Sequence, residues 1–177
     1  MIIHSFYQSL IYSFNHYTLK ILITGGNNAK ALKLMKAFPR HFVLLADYGD
    51  VPGIVTENYA FSSLGVLNKD SIAHILLNFC ITEAIDCIIP LHDFELEPLA
   101  KSAVLFGEYG IQVLLPNADV IADYLTEEKL AYQNFAVFIH GDQIFSTGEG
   151  TLPTNVSPKL NGVFGYNDAD DLKLFTI

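Results

Sequence analysis

The chain has 177 residues, 51% of them hydrophobic and 16% charged, which is enough apolar material for a sizeable core and excludes global disorder. Its formal net charge of -9, with no concentration of Lys or Arg, speaks against a nucleic-acid-binding surface but leaves room for a small anionic ligand. The length suits one α/β domain, or one such domain and part of a second.

Residues 1–18, MIIHSFYQSLIYSFNHYT, are apolar and aromatic and carry no Lys or Arg. A signal peptide needs a basic start, and a membrane span needs about 20 apolar residues in succession. Ser5, Gln8, Ser9, Ser13, Asn15 and His16 interrupt this segment, so residues 1–19 are expected to form an extra helix or arm packed on the domain or on a neighbouring subunit.

From Lys20 onward, short apolar runs alternate with amphipathic stretches. Lys20–Thr24 (KILIT) reads as a buried strand and Asn28–Phe38 as a helix, with Ala31, Leu32, Met35 and Phe38 at helical spacing and Pro39 as the stop. Phe42–Ala46 is a second strand closed by Asp47. A turn-rich stretch leads to a third near Tyr59–Ser62. Asp70–Phe79 is the second helix, Cys87–Ile89 the fourth strand, Phe94–Phe106 the third helix and Ile111–Leu115 the fifth strand. Asn117–Tyr124 and Thr126–Asn134 are expected to be helical. Wholly apolar strands separated by helices mean a mostly parallel sheet covered on both faces.

After about Asn134 the pattern changes. Phe135–His140 and Gln143–Thr147, joined through Gly141-Asp142, read as a hairpin, Asn155–Phe164 as a further strand and Asp168–Phe175 as a short helix. Cys80 falls near a helix end and Cys87 in a strand, so both are expected to be buried and reduced, without a disulfide, as in a cytoplasmic protein.

In an open parallel sheet, ligands bind outside the carboxyl ends of the strands. The loops of interest are therefore Gly25–Asn28, Asp47–Val55 and Pro90–Glu97. Gly25 and Gly26 follow a strand and precede a helix, the construction that sets backbone N–H groups against a phosphate, yet neither G-x-G-x-x-G nor the P-loop pattern is present. The alternative is a plain turn requiring positive φ, with Asn27 or Asn28 capping the helix and Lys30 and Lys33 solvated. Asp47 stands where dinucleotide enzymes hold a ribose. His92, Asp93, Glu95 and Glu97 form the densest ionisable cluster. Either Asp93 caps the third helix and Glu95 complements its positive end, or Glu95 shapes a ligand pocket. A metal site there lacks a closed ligand set.

Four segments in this order, KILITGG, VLLADYGDVPG, IDCIIPLHDFELEPLA and IQVLLPNADVIADYLTEEK, resemble the pre-ATP-grasp domain that opens the ATP-grasp ligases. Asp93-Phe94-Glu95-Leu96 with Leu99-Ala100 resembles the D-x-E-L-x-x-L-A stretch of the carbamoyl-phosphate-synthase-like branch. The resemblance covers about Lys20 to Lys129. It implies a Rossmann-like five-stranded sheet over 20–125 with helices on both faces, and a partial, strand-rich start of the ATP-grasp region over 126–177. It further implies a substrate-side domain of an ATP-dependent carboxylate–amine ligase, with ATP and Mg²⁺ in the complete enzyme and no catalytic residue or metal ligand in this chain. A small carboxylate would meet Gly25, Gly26, Asn27, Asp47, His92, Asp93 and Glu95, and ATP would meet Lys129 and Lys159. Partners would be further copies of the chain or an ATP-grasp domain, with no nucleic acid or membrane. At the position of the family's Lys-Pro lysine the chain has Ser157 instead, with Lys159 two residues on.

Two other readings stand beside it. One is a standalone, non-catalytic domain that binds a ligand or a subunit. The other is a degenerate short-chain dehydrogenase, suggested by Thr24-Gly25-Gly26 but with Ala29 and Ala31 in place of later glycines and no tyrosine followed four residues on by lysine.

Overall fold

The computed structural model describes residues 18–126, 131–149, 152, 160–168 and 171–177. Five parallel strands, β1 (Lys20–Thr24), β2 (Phe42–Asp47), β3 (Tyr59–Ser63), β4 (Cys87–Ile89) and β5 (Gln112–Val113), form one sheet in the order β3-β2-β1-β4-β5. This is an α/β, Rossmann-like architecture, with the order turning back on itself at β1.

Alternation along each strand sorts the core into two layers. Ile21, Ile23, Val43, Leu45, Cys87 and Ile89 pack with helix α1 (Ala29–Met35). Leu22, Leu44 and Ile88 pack on the opposite face with helices α2 (Ile72–Thr82) and α3 (Asp93–Glu108). Burial on both faces is why these strands are apolar throughout.

An antiparallel sheet follows, β6 (Asn134–Ile139), β7 (Asp142–Ser146), β8 (Gly162–Tyr166) and β9 (Lys173–Leu174), in the order β7-β6-β8-β9. It extends both core layers: Phe135, Val137 and Val163 join the α1 side, and Ala136, Phe138 and Phe164 join the α2–α3 side. Asn161 fastens the sheets together, its buried side-chain amide donating to the carbonyls of Val113 (3.3 Å) and Leu115 (3.0 Å) beside β5.

Several boundaries differ from the sequence reading. Helix α1 stops at Met35, and Lys36, Ala37 and Phe38 close it by bonds to residues three back, because the residue before Pro39 is steered away from helical backbone. Asn117–Tyr124 yields only a turn and a single 3₁₀ turn, Ile121–Tyr124, too short a stretch after Pro116 to sustain a helix. Residues 127–130 of the expected helix Thr126–Asn134 lie outside the described residues, and its last residue begins β6. The expected helix at Asp168–Phe175 is replaced by β9, since pairing with β8 (Phe164 with Leu174, Gly165 with Lys173) satisfies backbone that a short isolated helix would leave to water. The strand expected over Asn155–Phe164 begins at Gly162, and residues 155–159 lie outside the described residues. The segment 1–17 also lies outside them.

Candidate functional site

Three strands end in polar side chains at the same edge of the parallel sheet. Thr24 is the last residue of β1, Asp47 the last of β2, and the turn after β4 brings His92 and Glu95 to the start of α3. Glu95 is fully buried. One carboxylate oxygen accepts the Tyr48 hydroxyl at 2.7 Å and the other accepts the Thr24 hydroxyl in a short bond. Thr24 Oγ1 in turn accepts the Leu91 N–H at 2.9 Å. These bonds tie together the ends of β1, β2 and β4. Burial pushes the Glu95 carboxyl above its ordinary range, against the opposing pull of the Thr24 and Tyr48 hydrogen bonds and of His92. Burial, followed by the neighbouring Glu95 and Asp47 charges, pushes the Tyr48 phenol up in the same way.

Asp47 anchors the second half of the network. Its Oδ1 accepts the Tyr48 N–H at 2.9 Å and the His92 Nε2–H at 3.0 Å, and its Oδ2 accepts the Asn27 N–H at 3.1 Å. A carboxylate can only accept, so the bond fixes the His92 proton on Nε2 and leaves Nδ1 as the ring atom for a further partner. The His92 ring stacks on Phe94 (centroids 4.8 Å apart, 19° between planes), and Tyr48 leans on both. The Lys69 ammonium lies over the outer face of this cluster, 4.9 Å from the Phe94 centroid. The result is an aromatic wall with two held carboxylates beside it.

The glycine turn is engaged by the chain itself. Gly25 has φ +67°, the conformation that favours glycine, and a Cβ there would lie 2.3 Å from Ile177 Cδ1. The Gly26 N–H donates to the Ala46 carbonyl at 2.9 Å, and a Cβ on Gly26 would lie 2.7 Å from the Leu45 carbonyl carbon. Any side chain at Gly26 therefore strikes the β2 backbone. The end of the described chain crosses over this turn: the Ile177 N–H donates to the Leu91 carbonyl (2.9 Å) and Lys30 Nζ to the Thr176 carbonyl (2.6 Å). Lys30 is thus a strap-holding residue and not a solvated one, its ammonium lying 5.3 Å from the Phe175 ring centroid. A pyrophosphate does not fit a turn whose space is filled by Ile177 and whose Gly26 N–H is spent on β2.

Of the residues singled out in the sequence, Asn27, Asp47, His92 and Glu95 meet in one network. Gly25 and Gly26 adjoin it as structural turn residues. Asn28, not Asn27, caps α1 by accepting the Lys30 N–H at 2.9 Å, while the Asn27 side chain reaches the Asp50 carbonyl. Asp93 is not the cap of α3. The extended residue before the helix is His92, whose side chain makes no capping bond, and Asp93 is the exposed first helical residue, its charge suited to the positive end. Glu97 leaves the cluster altogether and pairs with Lys101 on the exposed face. Lys129 and Lys159 lie outside the described residues. Sequence reading missed Tyr48 and Thr24; the available signal was a lone polar residue closing an apolar strand, and an aromatic residue directly after the strand-end carboxylate. Cys80 and Cys87 are buried and free, the Cys80 thiol pushed up to about 12 by burial. Among the described residues no helix is long and apolar enough to cross a membrane, and no group of three or more His, Cys, Asp or Glu could hold a metal ion.

No family model matches the chain, and no curated protein matches it. Among solved structures it is similar to a short chain dehydrogenase family protein from Francisella tularensis subsp. tularensis SCHU S4, at 14% identity and a TM-score of 0.34. That likeness covers 62% of this chain and 55% of the other, so the match spans little more than half of that protein.

Proposed function

We propose that this chain is the N-terminal, substrate-side domain of an ATP-dependent carboxylate–amine ligase of the ATP-grasp type, in the carbamoyl-phosphate-synthase-like branch. The observation that carries the reading is the position of Glu95. Within the D-x-E-L stretch it is buried at the carboxyl edge of the sheet and hydrogen-bonded to residues from the ends of two other strands. A surface helix start would leave such a glutamate in water. Here it organises the loops where a ligand of an open parallel sheet sits.

Such a ligase transfers the terminal phosphate of ATP to a carboxylate and lets an amine displace it, with Mg²⁺ and cationic side chains stabilising the charge that develops. In this reading the chain contributes the pocket floor (Asp47, His92 and Glu95), while the magnesium ligands and most of the nucleotide clamp come from further chain or a partner polypeptide, with Lys129 and Lys159 toward the ATP. Asp47, by holding His92 Nε2, presents Nδ1 to the ligand. The enzyme would work in the cytoplasm, where Cys80 and Cys87 stay reduced.

The deciding measurement is the intact mass of the natural gene product, purified from its source with whatever binds it. A polypeptide well above 19.6 kDa, or a stoichiometric partner carrying the clamp, is the expected result. A product of 19.6 kDa with no such partner overturns the ligase reading and leaves a standalone binding domain.

A further inference from the structure

A hydroxyl has one hydrogen to give, and both hydroxyls beside Glu95 give theirs to it. Thr24 Oγ1 accepts the Leu91 N–H at 2.9 Å, so its own hydrogen goes to Glu95 Oε2. The Tyr48 hydroxyl gives its hydrogen to Glu95 Oε1 at 2.7 Å. Both carboxylate oxygens then accept, and the wiring is complete for an ionised Glu95. Yet Glu95 is fully buried, and burial pulls its carboxyl toward the protonated form. A proton added to Glu95 must displace one of the two hydroxyl hydrogens.

The two oxygens are not equivalent for that proton. On Oε2 it would face Thr24 Oγ1 and turn the Thr24 hydrogen away. Thr24 is fully buried, and its other partner, the Leu91 N–H, is a donor that cannot receive that hydrogen. A buried donor without an acceptor is costly. On Oε1 the proton would be donated to the Tyr48 oxygen, and the Tyr48 hydrogen would turn away instead. Tyr48 is only half-buried, at the carboxyl edge of the sheet where a ligand sits, and among the described residues Glu95 is the one partner of its hydroxyl. The charged groups around this phenol are Glu95 and Asp47, with His92 donating its Nε2–H to Asp47 and Lys69 standing over the Phe94 ring. An anion arriving at the hydroxyl would meet both carboxylates, and protonation of Glu95 removes one of those charges.

We propose that this network is a proton-coupled carboxylate site: a ligand carboxylate accepts the Tyr48 O–H, while Glu95 takes up one proton from solvent on Oε1 and donates it to the Tyr48 oxygen. Tyr48 is the ligand contact, and Glu95 is the positioning residue that releases its hydrogen. The charge balance closes, since the ligand brings one negative charge and Glu95 loses one. The inference rests on the ligase reading only for the class of ligand, a carboxylate.

Sodium formate is the probe, titrated at constant ionic strength into uniformly ¹⁵N-labelled protein between about pH 5.5 and 8, where a simple carboxylate stays ionised. Saturable shifts of the Tyr48 and Leu91 amides are expected, with the dissociation constant rising by up to about tenfold per pH unit, as uptake of one proton requires. In protein carrying ¹³C at the glutamate carboxyls, formate should move the Glu95 signal toward that of a protonated acid and leave Glu97 in place. Glu95→Gln offers Tyr48 an amide N–H at every pH and should bind formate without the slope. Tyr48→Phe should weaken binding by about tenfold or more at the low end of the range. Absence of saturable shifts at Tyr48, a pH-independent constant in the parent protein, or an unmoved Glu95 carboxyl would each overturn the proposal. So would a slope that survives Glu95→Gln and vanishes in His92→Gln, which places the proton on the imidazole. The mass of the gene product decides the ligase reading separately, so the two fail by different measurements.

Discussion

At the carboxyl edge of the parallel sheet, Thr24, Asp47 and Glu95 are buried polar side chains, each bonded to a residue from a different part of the chain. In the antiparallel sheet the corresponding buried positions are Phe135, Val137, Phe138 and Phe164, and the polar groups that buried residues bring there are few: the Asn161 amide, met by the Val113 and Leu115 carbonyls, and the Tyr166 hydroxyl, met by Ser146. Both regions are closed to water, but burial carries different requirements. An apolar cluster needs only volume filled, and each residue loses in proportion to what it leaves empty. A buried carboxylate needs every partner in place, because a group left without its hydrogen bond bears the full cost of desolvation. The antiparallel sheet thus reads as scaffold. The edge of the parallel sheet holds polar groups that scaffolding alone does not need.

The comparison breaks most visibly in the scaffold. Phe164 is fully buried, between Phe138 (centroids 6.0 Å apart) and Tyr124 (5.1 Å). Phe164→Ala should cost about 4 kcal/mol, the usual range for a large core residue. Urea denaturation followed by circular dichroism measures it. A loss below about 1 kcal/mol would mean that β8 is not part of the shared core.

Thr24→Val is the matching change at the polar edge. Volume is kept, so no cavity opens, yet Glu95 loses one donor and the Leu91 N–H loses its acceptor. The expected cost is about 2 kcal/mol, from unpaired groups alone. An equal, small loss at every pH would show that water replaces the hydroxyl and that the network is looser than its geometry.

How far the two regions could be read from the sequence follows the same division. The parallel strands were legible because burial on both faces writes an unbroken apolar run, and β1 and β4 match their expected limits. Strand β9 was not: Asp171-Leu172-Lys173-Leu174 carries too little pattern, and only the neighbouring edge of β8 decides its state. The site was legible as a set of loops, because strand ends in an open sheet define them. Its wiring was hidden. Thr24 meets Glu95 across 71 residues and Asp47 meets His92 across 45, and no local spacing encodes such a meeting. The cluster at 92–97 looked like one unit in sequence, yet helix geometry turns Glu95 inward and Glu97 outward.

Acidity separates these two glutamates. The ordinary value for such a carboxyl is 4.5, and burial holds folded Glu95 above it. The folded protein therefore keeps this proton in a range where the unfolded chain has lost it. The stabilisation from the bound proton is complete below pH 4.5 and is lost as pH rises through the elevated folded-state value. Glu95→Gln removes this dependence, so the variant should gain on the parent protein as pH increases from about 4.5 and then level off. Denaturation curves of both proteins over that range provide the check. A difference that stays constant with pH would mean that Glu95 is ionised throughout and that the hydrogen bonds from Thr24 and Tyr48 outweigh burial.

Glu97→Gln should do least. Its carboxylate takes a 2.8 Å hydrogen bond from Lys101 one helical turn along, which holds its pKa below the ordinary value, but both side chains are about two-thirds exposed. Water and salt screen such a pair, and ordering two long side chains offsets most of the attraction. The thermal midpoint of Glu97→Gln is expected to coincide with that of the parent at neutral pH and in 0.5 M salt, while Glu95→Gln moves it in a pH-dependent way. The two substitutions replace the same carboxyl group two residues apart on one helix. Any contrast between them therefore measures the burial and wiring of Glu95, and a large effect at Glu97 would place the ligand-facing surface on the outer side of α3 instead of at the sheet edge.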